Sequence, residues 1–331
     1  MTTSIFPSLL QRFFTDRLRG QLGASPHTIA AYRDTFRLLL RFATATLRRA
    51  PSALRIEDLD VTFLSTFLNH LESTRANTAR TRNNRLSALH AFFRYVAISE
   101  PSLGLQCQRI LAMPAKRYEY RPVEFLTEDE CAALVAAPNL STWIGRRDRA
   151  LLLVAVQTGL RNSEITGLRH EDVDIGASAH VRCLGKGRKH RCTPLRRDVV
   201  AVLREWLAEQ RGEPSDPVFP SARGGRLSAD ALQRLVSRHV TTARRACPSL
   251  AAKHVKPHTL RHAAAMTLLR RGVDLSVIAL WLGHESTETT QIYLHADMEL
   301  KERALAHTTA RGLPPARFRP SDALLTFLEA L

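Results

Sequence analysis

Apolar residues recur at helical spacing along most of this chain. In residues 28–42, Ile29, Tyr32, Phe36, Leu39 and Leu40 fall on one face of a helix that Pro26 and Thr28 open and Pro51 ends. A second helix, Val61–Ser73, follows the acidic run Glu57–Asp60, which suits the positive end of a helix. A third, Thr78–Ala97, carries Leu86, Leu89, Phe92, Phe93 and Val96 as its core stripe. Residues 1–110 therefore read as an all-α domain. Residues 100–125 hold three prolines and little periodicity, which places a linker there, at 111–125. Thr127 and Glu130 form a capping-box pattern at the start of a second domain, 126–307. Its helices are expected at 146–157, just after Asn162, and at 195–211, 228–246, 259–271, 274–282 and 287–306. The stretch Ala179–Pro194 alternates and turns at Gly185-Lys186-Gly187, the pattern of a β-hairpin. The fold class is thus mainly α with a small antiparallel sheet. Residues 308–331 read as a proline-rich tether and a short amphipathic helix, Asp322–Leu331.

Charge narrows the class. The 331 residues carry 48 Lys and Arg against 31 Asp and Glu, a formal charge of +17. Residues 1–120 hold 17 basic and 8 acidic side chains, so both halves share the excess. Such a field favours a polyanionic partner, with nucleic acid ahead of a membrane surface. The apolar run Ala150–Val156 falls far short of the ~20 residues of a membrane span. Arg12, Arg17 and Arg19 interrupt the apolar start, so a signal peptide is not expected. Five cysteines without a CxxC pair point to reduced thiols, and the protein is expected in the cytoplasm, on the nucleoid. Between Ser73 and Ser99 lie five arginines and no acid, interleaved with amides and hydroxyls. Arg80, Thr81, Arg82, Asn84 and Arg85 are the candidate DNA contacts there, with Arg188 and Lys189 at the hairpin tip.

Four separated segments carry one chemistry. They are Thr158-Gly-Leu-Arg161-Asn-Ser-Glu164; the tip Gly185-Lys186-Gly187-Arg188-Lys189; Pro257-His258-Thr-Leu-Arg261-His262; and Leu282-Gly283-His284, with Tyr293 nine residues beyond the last histidine. Two guanidiniums can clamp phosphoryl oxygens and stabilise a pentacoordinate phosphorus. A tyrosine, pKa ~10, needs cations or a base such as His258 to act as nucleophile. A lysine on a turn can protonate a leaving oxygen. Singly, each piece has an ordinary structural explanation: Gly283 as a helix end, His284 on the surface, Tyr293 in a core. His190 breaks a GxGxxG pattern, so no dinucleotide site is implied. Cys183, His190 and Cys192, with His180 nearby, suggest zinc, but their spacing does not fit a structural finger, and no metal or cofactor is expected.

Together and in this order, the motifs resemble the tyrosine recombinase (phage integrase) family, in particular its bacterial Xer-like branch. Thr158–Ile165 resembles the first Arg box, Gly185–Leu195 the hairpin Lys box, and Pro257–His262 and Leu282–His295 the second Arg box and nucleophile region. Thr28–Phe42 and Asn83–Tyr95 resemble the family's core-binding domain. The likeness runs over residues 5–307, with Thr193 at a position usually apolar and a longer, proline-rich tail. It implies a SAM-like helical domain and a catalytic domain that form a C-shaped clamp on duplex DNA. It further implies Tyr293 as nucleophile, Arg161 and Arg261 on the phosphate, Lys186 as general acid, His258 as base and His284 in support, with Glu164 behind Arg161. The implied activity is site-specific cutting and rejoining through a 3′-phosphotyrosyl bond, for integration, excision or transposition of a mobile element. The acting species would be a homo-tetramer, or a hetero-tetramer with a second recombinase. A type IB topoisomerase, a non-catalytic DNA-binding protein of the same fold and a zinc-stabilised binder are the rival readings. The Xer-like front domain, His258 at the start of His-x-x-Arg and the six occupied positions weigh against the first two.

Overall fold

The computed structural model describes residues 5–119, 123–185, 190–284 and 290–293. The chain divides into two compact units, Met1–Tyr120 and Arg121–Leu331.

The first unit is helical: α1 (Ile5–Arg12), α2 (Pro26–Leu47), α3 (Val61–Arg75), α4 (Ala79–Ser99) and α5 (Gly104–Leu111). Side-chain caps start three of these helices where the sequence places polar residues. Ser25, Asp60 and Thr78 accept hydrogen bonds from the backbone N–H groups of Thr28, Phe63 and Thr81. Phe6, Phe13, Phe36 and Phe92 meet edge to face in a shared core with Leu39, Phe67, Leu89 and Phe93. Two features depart from the sequence reading. Phe13–Gln21 continues α1 with π-helical winding. Residues 104–111, inside the proline-rich stretch, form α5, because Cys107 and Ile110 recur on one face and are buried against α4.

The second unit holds α6 (Glu128–Ala136), α7 (Trp143–Thr158), α8 (Asn162–Gly167), α9 (Arg197–Gln210), α10 (Ala229–Ala243), α11 (Pro257–Arg270) and α12 (Leu275–Leu282). The predicted capping box is present on α6. Thr127 Oγ1 accepts from the Glu130 N–H, and Glu130 Oε2 from the Thr127 N–H. An antiparallel sheet runs β1 (Val173–Asp174), β2 (His180–Leu184), β3 (His190–Pro194) in that order. The hairpin β2–β3 lies where alternation predicts it, whereas the two-residue β1 is too short to leave a periodic signal. Register pairs Val181 with Thr193 and Cys183 with Arg191. Cys183 and Thr193 face inward, while His190 and Cys192 are exposed on the other face. The residues that suggested zinc therefore point to opposite sides of the hairpin. Helix α7 runs through the core against α9 and α11. Asp148 on α7 is fully buried and bonds Arg147 at 2.7 Å and His239 of α10 at 2.7 Å. Among the described residues, no helix is long and apolar enough to cross a membrane.

Candidate active site

The two motif arginines meet at one helix end. Helix α12 closes with Gly283 at φ 65°, and the His284 N–H reaches back to the Ala279 carbonyl at 2.9 Å. Two carbonyls at this end each take a guanidinium. Arg261 Nη2 donates to Leu282 O at 2.6 Å and Arg161 Nη2 to Gly283 O at 2.7 Å. The negative end of the helix dipole favours both cations. A second αL glycine, Gly159 (φ 63°), ends α7 and offers its carbonyl to Arg261 Nη1 at 2.7 Å. Close approach adds to conformation here. A Cβ on Gly159 would lie 2.7 Å from Leu282 Cδ2, and one on Gly283 would lie 2.4 Å from Arg191 Nη1.

Glu164 orders the arginines from behind. It sits at the N3 position of α8, so one oxygen accepts from the Arg161 N–H at 2.6 Å while the other accepts from Arg161 Nη1 at 2.9 Å. Arg191 of β3 closes on both oxygens of the same carboxylate, at 3.1 and 2.7 Å. Burial pushes the Glu164 carboxyl up, but the Arg161 N–H and the charges of Arg191 and Arg161 outweigh it and hold the group below the usual carboxylate range. Two guanidiniums thus clamp one carboxylate, and the third, Arg261, is held on backbone carbonyls beside them. Arg261 is 2% exposed, and burial followed by repulsion from Arg161 and Arg191 brings it down to about 10, so it stays charged at neutral pH. Arg161, 28% exposed at its side chain, faces outward from the cluster.

Tyr293 lies in the helical residues 290–293 and is buried with Met266, Leu269, Ile278 and Leu282. Its hydroxyl sits 3.0 Å from Nδ1 of His262, not on His258 as the motif reading expects. His258, on the exposed side, packs edge-on against His262 with ring centroids 4.3 Å apart. The His284 ring lies nearly parallel to Tyr293, and its Nδ1 pairs with the buried Thr290 hydroxyl at 2.8 Å. Burial, opposed by the Arg261 charge, pushes the Tyr293 hydroxyl up to about 12. Burial, then His258, Arg261 and His284, pulls His262 down to about 3; burial, then Arg261, Arg161 and Arg191, brings His284 to about 4. Desolvation, then Arg261 and Arg161, lowers His258 as well.

Five of the six motif positions are therefore brought together: Arg161 and Arg261 at the end of α12, His284 against Tyr293, and His258 against the His262 that meets Tyr293. Lys186, like Arg188 and Lys189, lies outside the described residues. The motif reading gave no role to Arg191 or His262. His262 had a signal, its i,i+4 spacing from His258 on one helix face. Arg191 had none, since only strand register turns it inward. On α4, Arg80 and Asn84 are exposed and Thr81 is half-buried behind the cap. Arg82 and Arg85 turn inward instead. Arg82, 9% exposed, lies 3.6 Å from Glu72 of α3, and Arg85 Nη1 donates to Ala31 O and Thr35 Oγ1 of α2.

Comparison with known proteins gives the family. The phage integrase family matches residues 124–299, and the phage integrase N-terminal SAM-like domain matches residues 10–99. The Sinorhizobium fredii protein y4rC, which bears an integrase/recombinase designation, is 53% identical over 98% of this chain and 97% of its own. Tyrosine recombinase XerC of Pelobacter propionicus is 33% identical over 92% of this chain and 97% of its own. In the crystal structure of the XerH site-specific recombinase bound to palindromic difH substrate, a post-cleavage complex, the fold matches with a TM-score of 0.67. That match is at 24% identity and covers 86% of this chain and 80% of that one. The chain belongs to the phage integrase family, and it is a tyrosine-type site-specific recombinase, a DNA strand-transfer enzyme.

Proposed function

We propose that this recombinase moves or resolves a mobile DNA element by breaking duplex DNA at an inverted-repeat site through Tyr293. The excess of guanidinium charge carries the reading: Arg161 and Arg191 share the single carboxylate of Glu164, and, among the described residues, Arg261 is held only by backbone carbonyls, beside a buried tyrosine. Such a site is incomplete without an anion, and a phosphodiester matches the forks of Arg161 and Arg261. Tyr293 attacks the scissile phosphorus, the P–O5′ bond breaks, and the chain carries a 3′-phosphotyrosyl bond beside a free 5′-hydroxyl. Lys186 supplies the proton to the leaving oxygen, and His258 and His284 hold the phosphate side of the pocket. A 5′-hydroxyl from the partner strand then attacks the phosphotyrosine and releases the enzyme. Bond energy is conserved in the covalent intermediate, so no nucleotide cofactor is needed.

Both units contribute basic surface to the duplex, the first through the exposed start of α4. Four subunits acting in two rounds would exchange two duplexes through a Holliday junction. The tail, with Leu324, Leu325, Phe327, Leu328 and Leu331, lies outside the described residues; if it serves a neighbouring subunit and not its own chain, deleting 313–331 should disrupt tetramers on DNA and leave cleavage intact.

The test traps covalent protein–DNA adducts from cells under denaturing conditions and sequences the attached DNA. Adducts in the wild type at one recurring inverted repeat, absent in Tyr293→Phe, are the expected result. Adducts scattered over the genome would indicate a topoisomerase, and none in either protein a DNA-binding role or an enzyme silent without its partner.

A further inference from the structure

We infer that His262 is a catalytic residue of this enzyme: its Nδ1 docks the Tyr293 hydroxyl and takes the phenolic proton as the Oη–P bond forms. The inference deepens the reading above and rests on Tyr293 being the nucleophile.

Geometry comes first. A general base must lie within about 2.6–3.2 Å of the group it deprotonates, and Nδ1 of His262 lies 3.0 Å from the hydroxyl. Because Tyr293 is 1% exposed, bulk water is not positioned to take the proton. The other histidines are engaged elsewhere. His284 faces Thr290 through Nδ1, and His258 is exposed and packs against the His262 ring. In the proposed step the phenol donates and Nδ1 of the neutral imidazole accepts, so this tautomer carries its proton on Nε2. The His262 ring packs against two others, His258 with centroids 4.3 Å apart and Tyr293 with centroids 5.6 Å apart, which restrains its orientation.

Electrostatics then explain why the step waits for DNA. Without substrate, the buried pocket holds three cations and one anion, which keeps His262 neutral and Tyr293 protonated. A phosphodiester seated on Arg161 and Arg261 offsets the positive charge that opposes an imidazolium on His262. The balance is complete. The O–H bond of Tyr293 breaks and Nδ1–H forms, Oη–P forms and P–O5′ breaks, and the leaving oxygen receives a separate proton from Lys186. On rejoining, His262 returns its proton to the departing tyrosine.

The test compares His262→Asn and His262→Phe with the wild type. The substrate is a nicked duplex of the inverted repeat recovered from wild-type adducts, and single-turnover adduct formation and DNA affinity are both measured. Loss of a general base costs about 10²–10⁴-fold in rate. Both variants should lose rate on that scale with DNA affinity kept within about twofold of wild type, because His262 touches Tyr293 and not the duplex. The side-chain oxygen of asparagine still docks the phenol but cannot take its proton. In His262→Asn the rate should therefore climb about tenfold per pH unit from pH 7 to 9, where the wild type is flat, since hydroxide must replace the base. A wild-type rate in either variant, or a loss in His262→Asn without that pH dependence, overturns the inference. An arm without DNA distinguishes failure of the nucleophile reading. In full-length protein labelled with 15N-histidine, Tyr293→Phe should shift Nδ1 of His262 and leave His90 unmoved; an unmoved His262 overturns the contact itself.

Discussion

Arginine has opposite fates in the two units. On α4, Arg82 turns into its own unit toward a carboxylate, Glu72, which also holds Lys116 Nζ at 2.9 Å. That carboxylate, shared with Lys116, offsets part of the Arg82 charge. In the second unit, the acceptors on Arg261 are the Gly159 and Leu282 carbonyls, which are dipoles without net charge. That cation is held in place and remains uncompensated. Burial alone therefore does not separate a structural arginine from one that awaits a phosphate; the charge of its partner does.

The largest effect should come from removing the uncompensated cation. Arg261→Met is expected to lower single-turnover adduct formation by about 10²–10³-fold or more, the scale of one lost transition-state donor. Arg82→Met should leave that rate unchanged and lower the melting temperature instead. Equal rate losses in the two variants would erase the distinction.

The glycines that bring the carbonyls to the arginines offer a finer test. Gly283→Ala combines αL strain of about 1–3 kcal/mol with a collision at Arg191. Gly272, φ 79°, has open space where a Cβ would go, so Gly272→Ala carries the strain alone. Adduct formation should fall about tenfold further in Gly283→Ala than in Gly272→Ala, because misplaced groups lose rate steeply. Comparable activity in both would show that Arg191 yields freely.

The positive pocket also predicts a pH dependence of stability. His262 and His284 fall to about 3 and about 4 in the folded state, against about 6.5 unfolded. Between those values the unfolded chain binds more protons, so stability rises with pH through this window and is lost as pH drops below about 6.5. Urea melts of His262→Phe from pH 4 to 7 should show a shallower slope than wild type. A parallel slope would mean that His262 is already solvated.

The smallest effect belongs to α4. Arg80→Ala, at the exposed start of the helix, should reduce the salt dependence of DNA affinity by about 0.9 in log–log slope if it meets one phosphate. Arg82→Met should leave that slope unchanged.

Local grammar decided much of this protein. Helical periodicity located α2–α4 and most helices of the second unit, polar caps marked where they start, and alternation found the β2–β3 hairpin. Each rests on contacts within a few residues, as Thr127 and Glu130 illustrate, so the chain encodes them without knowing its fold. Ordered motifs also pointed to the arginines, His284 and Tyr293, because residue type and order survive without coordinates. Helix α5 escaped because prolines flank it and its burial against α4 is tertiary. What the arginines touch was decided only in three dimensions. Arg261 meets Gly159 across 102 positions and Arg161 meets Gly283 across 122, distances over which no periodicity speaks. The same holds for Arg82 turning to Glu72, for Arg191 turned inward by strand register, and for His262, rather than its neighbour one turn away, receiving the tyrosine. In each case the choice among chemically equivalent side chains depends on which face the packed core leaves open, and that is a property of the assembled unit.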